Sequence, residues 1–277
     1  MQRNPTPAPK DQARLVIGFQ GERGAFSDAA ARALVPGANT RGYASFDDLV
    51  AAVDRDEVPY GLLPVENSIF GPIARSYDLL WAHTSLVITD ETMHRIVMNL
   101  IGTKDATEEG LTEIRSHPVA LEQIRRYLDN RPSLKRVIVE DTAGAAAQIV
   151  AANDPRVAAV GPALTAELYG GKILRSGIQD DAENFTRFFL LQRNGTARRN
   201  LNRACVAFEL NNRAGALRDA LSAFADRGID LRSLVCRPDR RNPFNYRFYC
   251  EITEIDSGRL EEALASIDGS TRVFGVY

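Results

Sequence analysis

The sequence predicts an α/β protein with a second, smaller unit at its C-terminus. Three observations carry that reading. Between residues 14 and 192, short apolar or β-branched runs alternate with stretches of helical period, as in strands separated by helices. A segment rich in Arg, Asn and Gly then interrupts the pattern at 193–203. Beyond it the order becomes βαββαβ in about 75 residues, a split βαβ arrangement of the ferredoxin-like kind. With 277 residues, 44% hydrophobic and 25% charged, the chain can bury more than one ordinary core.

The elements follow in order. Residues 14–19 form the first strand, and a turn carrying Gly18, Gly21 and Gly24 leads into a helix over 26–34 whose apolar face is Ala29, Ala30, Ala33 and Leu34. A strand at 39–43 precedes Ser45, which caps the next helix because Asp48 stands three residues on. Residues 60–65 form a strand, 67–72 a loop and 73–81 a helix. The β-rich run 86–101 is two strands, or one that crosses between lobes. Strand–helix pairs then follow at 113–116 and 118–128, 135–139 and 142–152, and 157–160 and 162–169, before a last strand at 186–192. Such alternation implies largely parallel pairing. After the linker come strand 205–210, helix 215–227, strands 230–237 and 247–252, helix 258–267 and strand 271–276.

Composition excludes several classes. The net charge of −2 gives no basic field for nucleic acid. The three cysteines, Cys205, Cys236 and Cys250, are odd in number and confined to the last third, which argues against a disulfide framework. No Cys or His spacing suggests a metal site. Residues 1–13 read as a loose tail without the apolar run of a signal peptide, and no run reaches the ~20 residues of a membrane span. A cytoplasmic protein is expected, with no nucleic-acid or membrane partner.

Chemistry is expected where strands hand over to helices, at 20–27, 66–73, 116–118 and 141–145. Exposed N–H groups at helix starts attract anions, so these loops suit a small acidic ligand; the plainer reading is that their Ser, Thr and Asn are caps. The glycine turn lacks the spacing of a dinucleotide fingerprint and the lysine of a P-loop, and no serine sits in a G-x-S-x-G elbow. Of the histidines 83, 94 and 117, only His117 ends a strand beside a loop, where it reads as structural or as a group behind the site. In 183–188, Asn184, Thr186 and Arg187 interleave with Phe185 and Phe188. A strand there puts Thr186 on one face and Arg187 on the other.

Asn184-Phe185-Thr186-Arg187-Phe188 resembles the signature of the prephenate dehydratases. Further blocks agree in order: the turn 21–27, Pro64-Val65-Glu66-Asn67-Ser68, Tyr77-Asp78-Leu79-Leu80, Ser116-His117-Pro118 and the run 141–146. The last third resembles an ACT regulatory domain through Gly215-Ala216-Leu217 and Arg237-Pro238. The resemblance implies a two-lobed catalytic unit, similar in outline to periplasmic binding proteins, over 14–193, with a second lobe at about 95–172. A linker at 194–202 and an ACT domain over 203–277 follow. It implies decarboxylating dehydration of prephenate to phenylpyruvate without cofactor or metal. It also implies phenylalanine as effector and a homodimer or homotetramer. With thirteen residues ahead of the first strand, a monofunctional enzyme without a chorismate mutase segment is expected.

Thr186 and Glu66 are then the expected catalytic pair, Thr186 relaying a proton to the leaving hydroxyl. Glu66 supplies an acid if burial raises its pKa, or else braces the loop. Asn67, Ser68, Ser27, Ser116, Thr142, Arg187 and Phe188 are the expected substrate contacts. Arg187 either pairs with a carboxylate or locks its strand. Asn211, Gly215, Ala216 and Leu217 are the expected effector contacts, with Arg237 and Pro238 expected to close the site from a partner chain. Two departures stand out: Val119 replaces the Gln usual after the His-Pro pair, and Val235-Cys236 replaces the acid and hydroxyl of the regulatory block. Arogenate dehydratase, with the same chemistry on the transaminated substrate, is the nearest alternative. A non-catalytic binding protein for small acids is the other.

Overall fold

The computed structural model describes residues 15–139, 142–198, 202–239, 245–254 and 256–277. The expected tail lies outside them, as does the start of the first expected strand. Three sheets organise the chain. The first has the order β2-β1-β3-β11-β5, with the short β4 (Gly71–Pro72) paired to β3. Its strands are β1 (Val16–Gln20), β2 (Asn39–Tyr43), β3 (Tyr60–Asn67), β5 (Leu86–Arg95) and β11 (Phe185–Arg193). The second has the order β10-β6-β9-β7-β8, built from β6 (Asn99–Gly102), β7 (Glu113–Ser116), β8 (Lys135–Ile138), β9 (Val157–Gly161) and β10 (Lys172–Ser176). The third, at the C-terminus, has the order β13-β14-β12-β15.

The pairing corrects the expectation of largely parallel sheets. β1 runs parallel to β2 and β3, but β11 is antiparallel to both β3 and β5. In the second sheet β7 is parallel to β8 and β9, whereas β6 is antiparallel to β9 and β10. The reversal arises because the chain crosses between sheets twice. The run 86–101 is two strands in different sheets, and residues 177–184 bring it back into β11. β10 was not expected; it is short and mostly exposed, and its two adjacent apolar residues, Ile173 and Leu174, give no strand alternation.

Helix α1 (Phe26–Leu34) covers one face of the first sheet and packs Ala30 and Ala31 on Ile17, Leu62, Phe188 and Leu190. The other face meets α2 (Phe46–Asp54) and α3 (Ala74–Ala82). Ser45 caps α2 as expected, its Oγ accepting from Asp48 N at 3.0 Å. In the second lobe the expected helix 118–128 is broken into α4 (Pro118–Glu122) and α5 (Arg125–Asp129). The cause is Asp180, whose carboxylate accepts from the N–H groups of Arg125 and Arg126 and starts a new helix there. Helices α6 (Thr142–Ala152) and α7 (Ala163–Tyr169) complete this lobe.

The C-terminal unit has β12 (Arg203–Leu210), α8 (Ala216–Ala225), β13 (Leu231–Pro238), β14 (Tyr246–Thr253), α9 (Ser257–Ala265) and β15 (Gly269–Val276), the expected βαββαβ order. Its helices cover one sheet face around Phe208 and Phe224. The opposite face packs Cys205, Ala207, Tyr249 and Phe274 directly on α3 and β5, so one continuous core joins the units. Gly275 permits that approach, because a Cβ there would collide with the backbone carbonyl of Ile88. Among the described residues, no helix is long and apolar enough to cross a membrane.

Candidate active site

The two lobes face each other across a cleft of about 590 Å³. Its first wall is the end of β1 and the start of α1: Gln20, Gly21, Phe26 and Ser27. Gly24 has φ +94° and its carbonyl accepts from Thr165 Oγ1 of α7 at 2.7 Å, which ties the glycine turn to the far lobe. The second wall is β3 and β11, through Pro64, Asn67, Thr186 and Phe188. The third is the α4 side, through His117, Val119, Ala120 and Gln123. Phe46, Phe70, Ile73, Ile96 and Met98 make the remaining lining apolar.

Register explains which residues meet. Thr186 pairs with Asn67 and Phe188 with Pro64 across β11 and β3, so these four share the cleft face. Asn67 Nδ2 lies 3.1 Å from Thr186 Oγ1 and 2.8 Å from Asn184 Oδ1. Its Oδ1 accepts from the N–H groups of Ile69 and Phe70 at 3.0 and 3.1 Å. The amide therefore fixes the loop and the threonine together. Asn184 is fully buried and donates in turn to Gln123 Oε1 at 3.0 Å, a chain of amides across the lobes.

Of the expected site residues, Ser27, Asn67, Thr186 and Phe188 line the cleft. Ser68, Ser116, Arg187 and Glu66 do not. Ser68 Oγ donates to Glu183 O and accepts from Phe185 N, bracing the loop. Ser116 is buried and its Oγ lies 3.2 Å from Val160 O, a bond within the second sheet. Arg187 and Glu66 pair with each other on the opposite sheet face, Nε and Nη2 at 3.1 and 2.9 Å from Glu66 Oε2. The same one-residue alternation that aims Thr186 inward turns them away. The Thr142 side chain lies outside the described residues. Gln20, Phe26 and Phe70 lie in loops where the chemistry was expected but were not singled out, and Gln123 lies outside those loops. The cleft has room for Gln123 where α4 ends, one turn beyond Val119, and no sequence periodicity marks that break.

Arg187 sits behind the site in a dense charge cluster. It is 4% exposed, forks onto Glu251 of β14 with Nη2 2.6 Å from Oε1, and lies 3.5 Å from Glu91 of β5. Glu251 also accepts from Tyr77 OH at 3.3 Å, and Glu91 from Tyr277 OH at 3.3 Å. Desolvation alone would lower the guanidinium pKa, but the hydrogen bonds and charge of Glu251 outweigh it and the net shift is upward. Burial raises the Tyr77 and Tyr277 phenols, which stay protonated donors.

A family model described as prephenate dehydratase matches residues 17–196, and one described as ACT domain matches 206–268. The chain belongs to the prephenate dehydratase family. Its relatives include arogenate dehydratase/prephenate dehydratase 2, chloroplastic, of Arabidopsis thaliana, 37% identical over 89% of this chain and 67% of that protein. The Arthrobacter aurescens prephenate dehydratase solved in complex with L-Phe superposes with a TM-score of 0.85 at 26% identity, over 94% of this chain and 89% of that one. A structure described as GqqA, a novel type of quorum quenching acylases, superposes with a TM-score of 0.85 at 30% identity, over 95% and 97%. This chain is thus a hydro-lyase of phenylalanine biosynthesis with a prephenate dehydratase domain and an ACT domain.

In the ACT domain a cavity of about 130 Å³ lies at the start of α8. Asn211, Ala216 and Leu217 line it, joined by Tyr246 and Phe248 of β14. Gly215, at φ +81°, is the N-cap of α8 beside it. Arg237 and Pro238 are elsewhere. Arg237 forks onto Asp78 of α3 at 3.1 and 3.0 Å, and Pro238 borders a crevice with Arg75 and Trp81. Within this chain the two stand at the seam with the prephenate dehydratase domain, because β13 ends against α3.

Proposed function

We propose that this enzyme acts on prephenate in preference to arogenate, releasing phenylpyruvate, water and CO2. The observation that carries the choice is the cleft lining. Among the described lining residues His117 is the sole titratable side chain, and no carboxylate stands ready for the ammonium group that distinguishes arogenate. A keto acid leaves no buried cation unpaired there.

The proposed chemistry starts with the ring carboxylate. Its C–C bond breaks and releases CO2. The electron pair moves into the ring, and the C–O bond to the ring hydroxyl breaks at the far side. That oxygen leaves as water after taking one proton. Asn67 donates to Thr186 Oγ1, so the threonine's own O–H is left to point into the cleft at the departing oxygen. Help of this kind contributes roughly 10²–10⁴-fold. Glu66, held on the far sheet face, has a bracing role in this reading rather than an acidic one. Ser27 and the first turn of α1 offer N–H and O–H donors to a carboxylate, and Gln20 and Gln123 offer amides. The departing carboxylate meets mainly apolar walls, which leave its charge without an ion pair to hold it back.

The likeness to GqqA raises an acylase activity as a second reading. Thr186 Oγ1 is bonded to an amide rather than to a base, which favours the dehydration. We further propose that phenylalanine binds at the start of α8, that the enzyme works as a homodimer or homotetramer and that it is cytoplasmic. The test is kcat/KM on prephenate and on arogenate, each with and without phenylalanine. Prephenate is expected to be preferred by about tenfold or more. An equal or reversed ratio would reassign the substrate.

A further inference from the structure

The charge cluster behind the sheet has no part in binding substrate, yet it touches the strand that carries Thr186. β11 presents Thr186 to the cleft and, one residue later, Arg187 to the ACT domain. The strand pairing is irregular at this point. The β3–β11 register shifts between Arg187 and Phe188, so that Glu66 faces Arg187, Pro64 faces Phe188 and Val65 is left over. Pro64 has no N–H to donate, and the Val65 carbonyl accepts from Ile73 N at 2.8 Å. Bulges re-aim side chains and interrupt the ladder. Thr186 itself is paired on both sides, to Asn67 and His94, and the irregularity begins two residues on, on the β3 side alone, where Arg187 is the last residue in register before the bulge.

We propose that Glu251 of the ACT domain is a positioning residue for the dehydration, acting through Arg187 to set the aim of Thr186. The guanidinium reaches all three parties. It holds Glu66 on β3, lies 3.5 Å from Glu91 on β5, and forks onto Glu251 across the domain seam. A fork onto a carboxylate fixes the guanidinium plane as well as its distance. Tyr77 of α3 donates to the same carboxylate and limits its rotamers. The ACT domain thus forms a backing plate for the catalytic strand, and its sheet contributes to catalysis with no effector present.

This inference rests on the reading of Thr186 as the group that serves the leaving hydroxyl. The experiment is a mutant cycle on prephenate with four proteins: wild type, Thr186→Ala, Glu251→Gln and the double variant. Glu251→Gln is expected to lower kcat about tenfold or more with KM within about twofold, and to cost nothing further in the Thr186→Ala background. Glu251→Asp, which keeps the charge but draws it back, is expected to lose less and guards against a Gln variant that does not fold. Arg272→Gln is the control for a loosened seam, because Arg272 ties β15 to the carbonyls of Trp81 and His83 at 2.8 Å each without reaching β11. Its basal kcat is expected to stay within about twofold of wild type. Losses that multiply in the double variant, a folded Glu251→Gln with unchanged kcat, or an equal loss in Arg272→Gln would each overturn the proposal. If Thr186→Ala alone keeps full kcat, the reading of Thr186 fails instead.

Discussion

Asn67 and Thr186 stand opposite each other on β3 and β11, and the Asn67 amide nitrogen lies 3.1 Å from the Thr186 hydroxyl. The pair places a hydroxyl with a free O–H on the wall of a largely apolar cleft, and the amide's other end pins the loop that follows.

Asn67→Asp keeps the shape and removes the donor. A carboxylate beside Thr186 would draw the threonine's proton toward itself and away from the cleft. The variant is expected to fold and to lose about 10²-fold or more in kcat. Steady-state kinetics with prephenate, beside a circular dichroism spectrum, checks both halves of the statement.

Glu66→Gln tests the carboxylate from the other side. Glu66 faces Arg187 and not the cleft, so the pH dependence of kcat should keep its shape even if the rate falls a few-fold through a weaker clamp. A limb of the profile that disappears in this variant would return Glu66 to the role of titrating acid.

Gly275→Ala probes the seam. The added methyl would meet the Ile88 carbonyl, a backbone atom that moves only if β15 and β5 part. Overpacking of this kind costs about 1–3 kcal/mol. A denaturant midpoint lower by that free energy divided by the m-value is expected, and an unchanged midpoint would mean that the two units do not pack as closely as described.

His94 is the cross-strand neighbour of Thr186 on β5, and burial lowers its pKa below the usual histidine value. The unfolded chain therefore takes up this proton first as pH falls. The group has no effect on stability above about pH 7, and it destabilises progressively as pH drops through about 6.5 toward the lower folded value. His94→Leu is expected to flatten the fall in thermal midpoint between about pH 7 and pH 5. A variant whose midpoint falls as steeply as wild type would exclude this histidine as the source.

Much of the fold and part of the site are legible in the residues. Helices at 26–34 and 142–152 and the strand at 39–43 fall where periodicity and punctuation put them, because each signal is local. Alternation in 184–188 is by itself enough to separate Thr186 from Arg187. The same rule applied to 64–68 separates Asn67 from Glu66 and Ser68, but a motif taken as one block hides its alternation. Long-range effects leave no such mark. Asp180 breaks the helix at 124 from more than fifty residues away, and Glu251 reaches Arg187 from another domain. The antiparallel insertion of β11 follows from a return crossing that no local pattern encodes.

The most direct measurement is turnover of prephenate by Thr186→Ala beside Thr186→Ser. The Ala variant is expected to fold, to keep KM within a few-fold and to lose about 10²-fold or more in kcat, with Ser recovering part of the loss. A folded Ala variant that turns over prephenate at the wild-type rate would contradict the account.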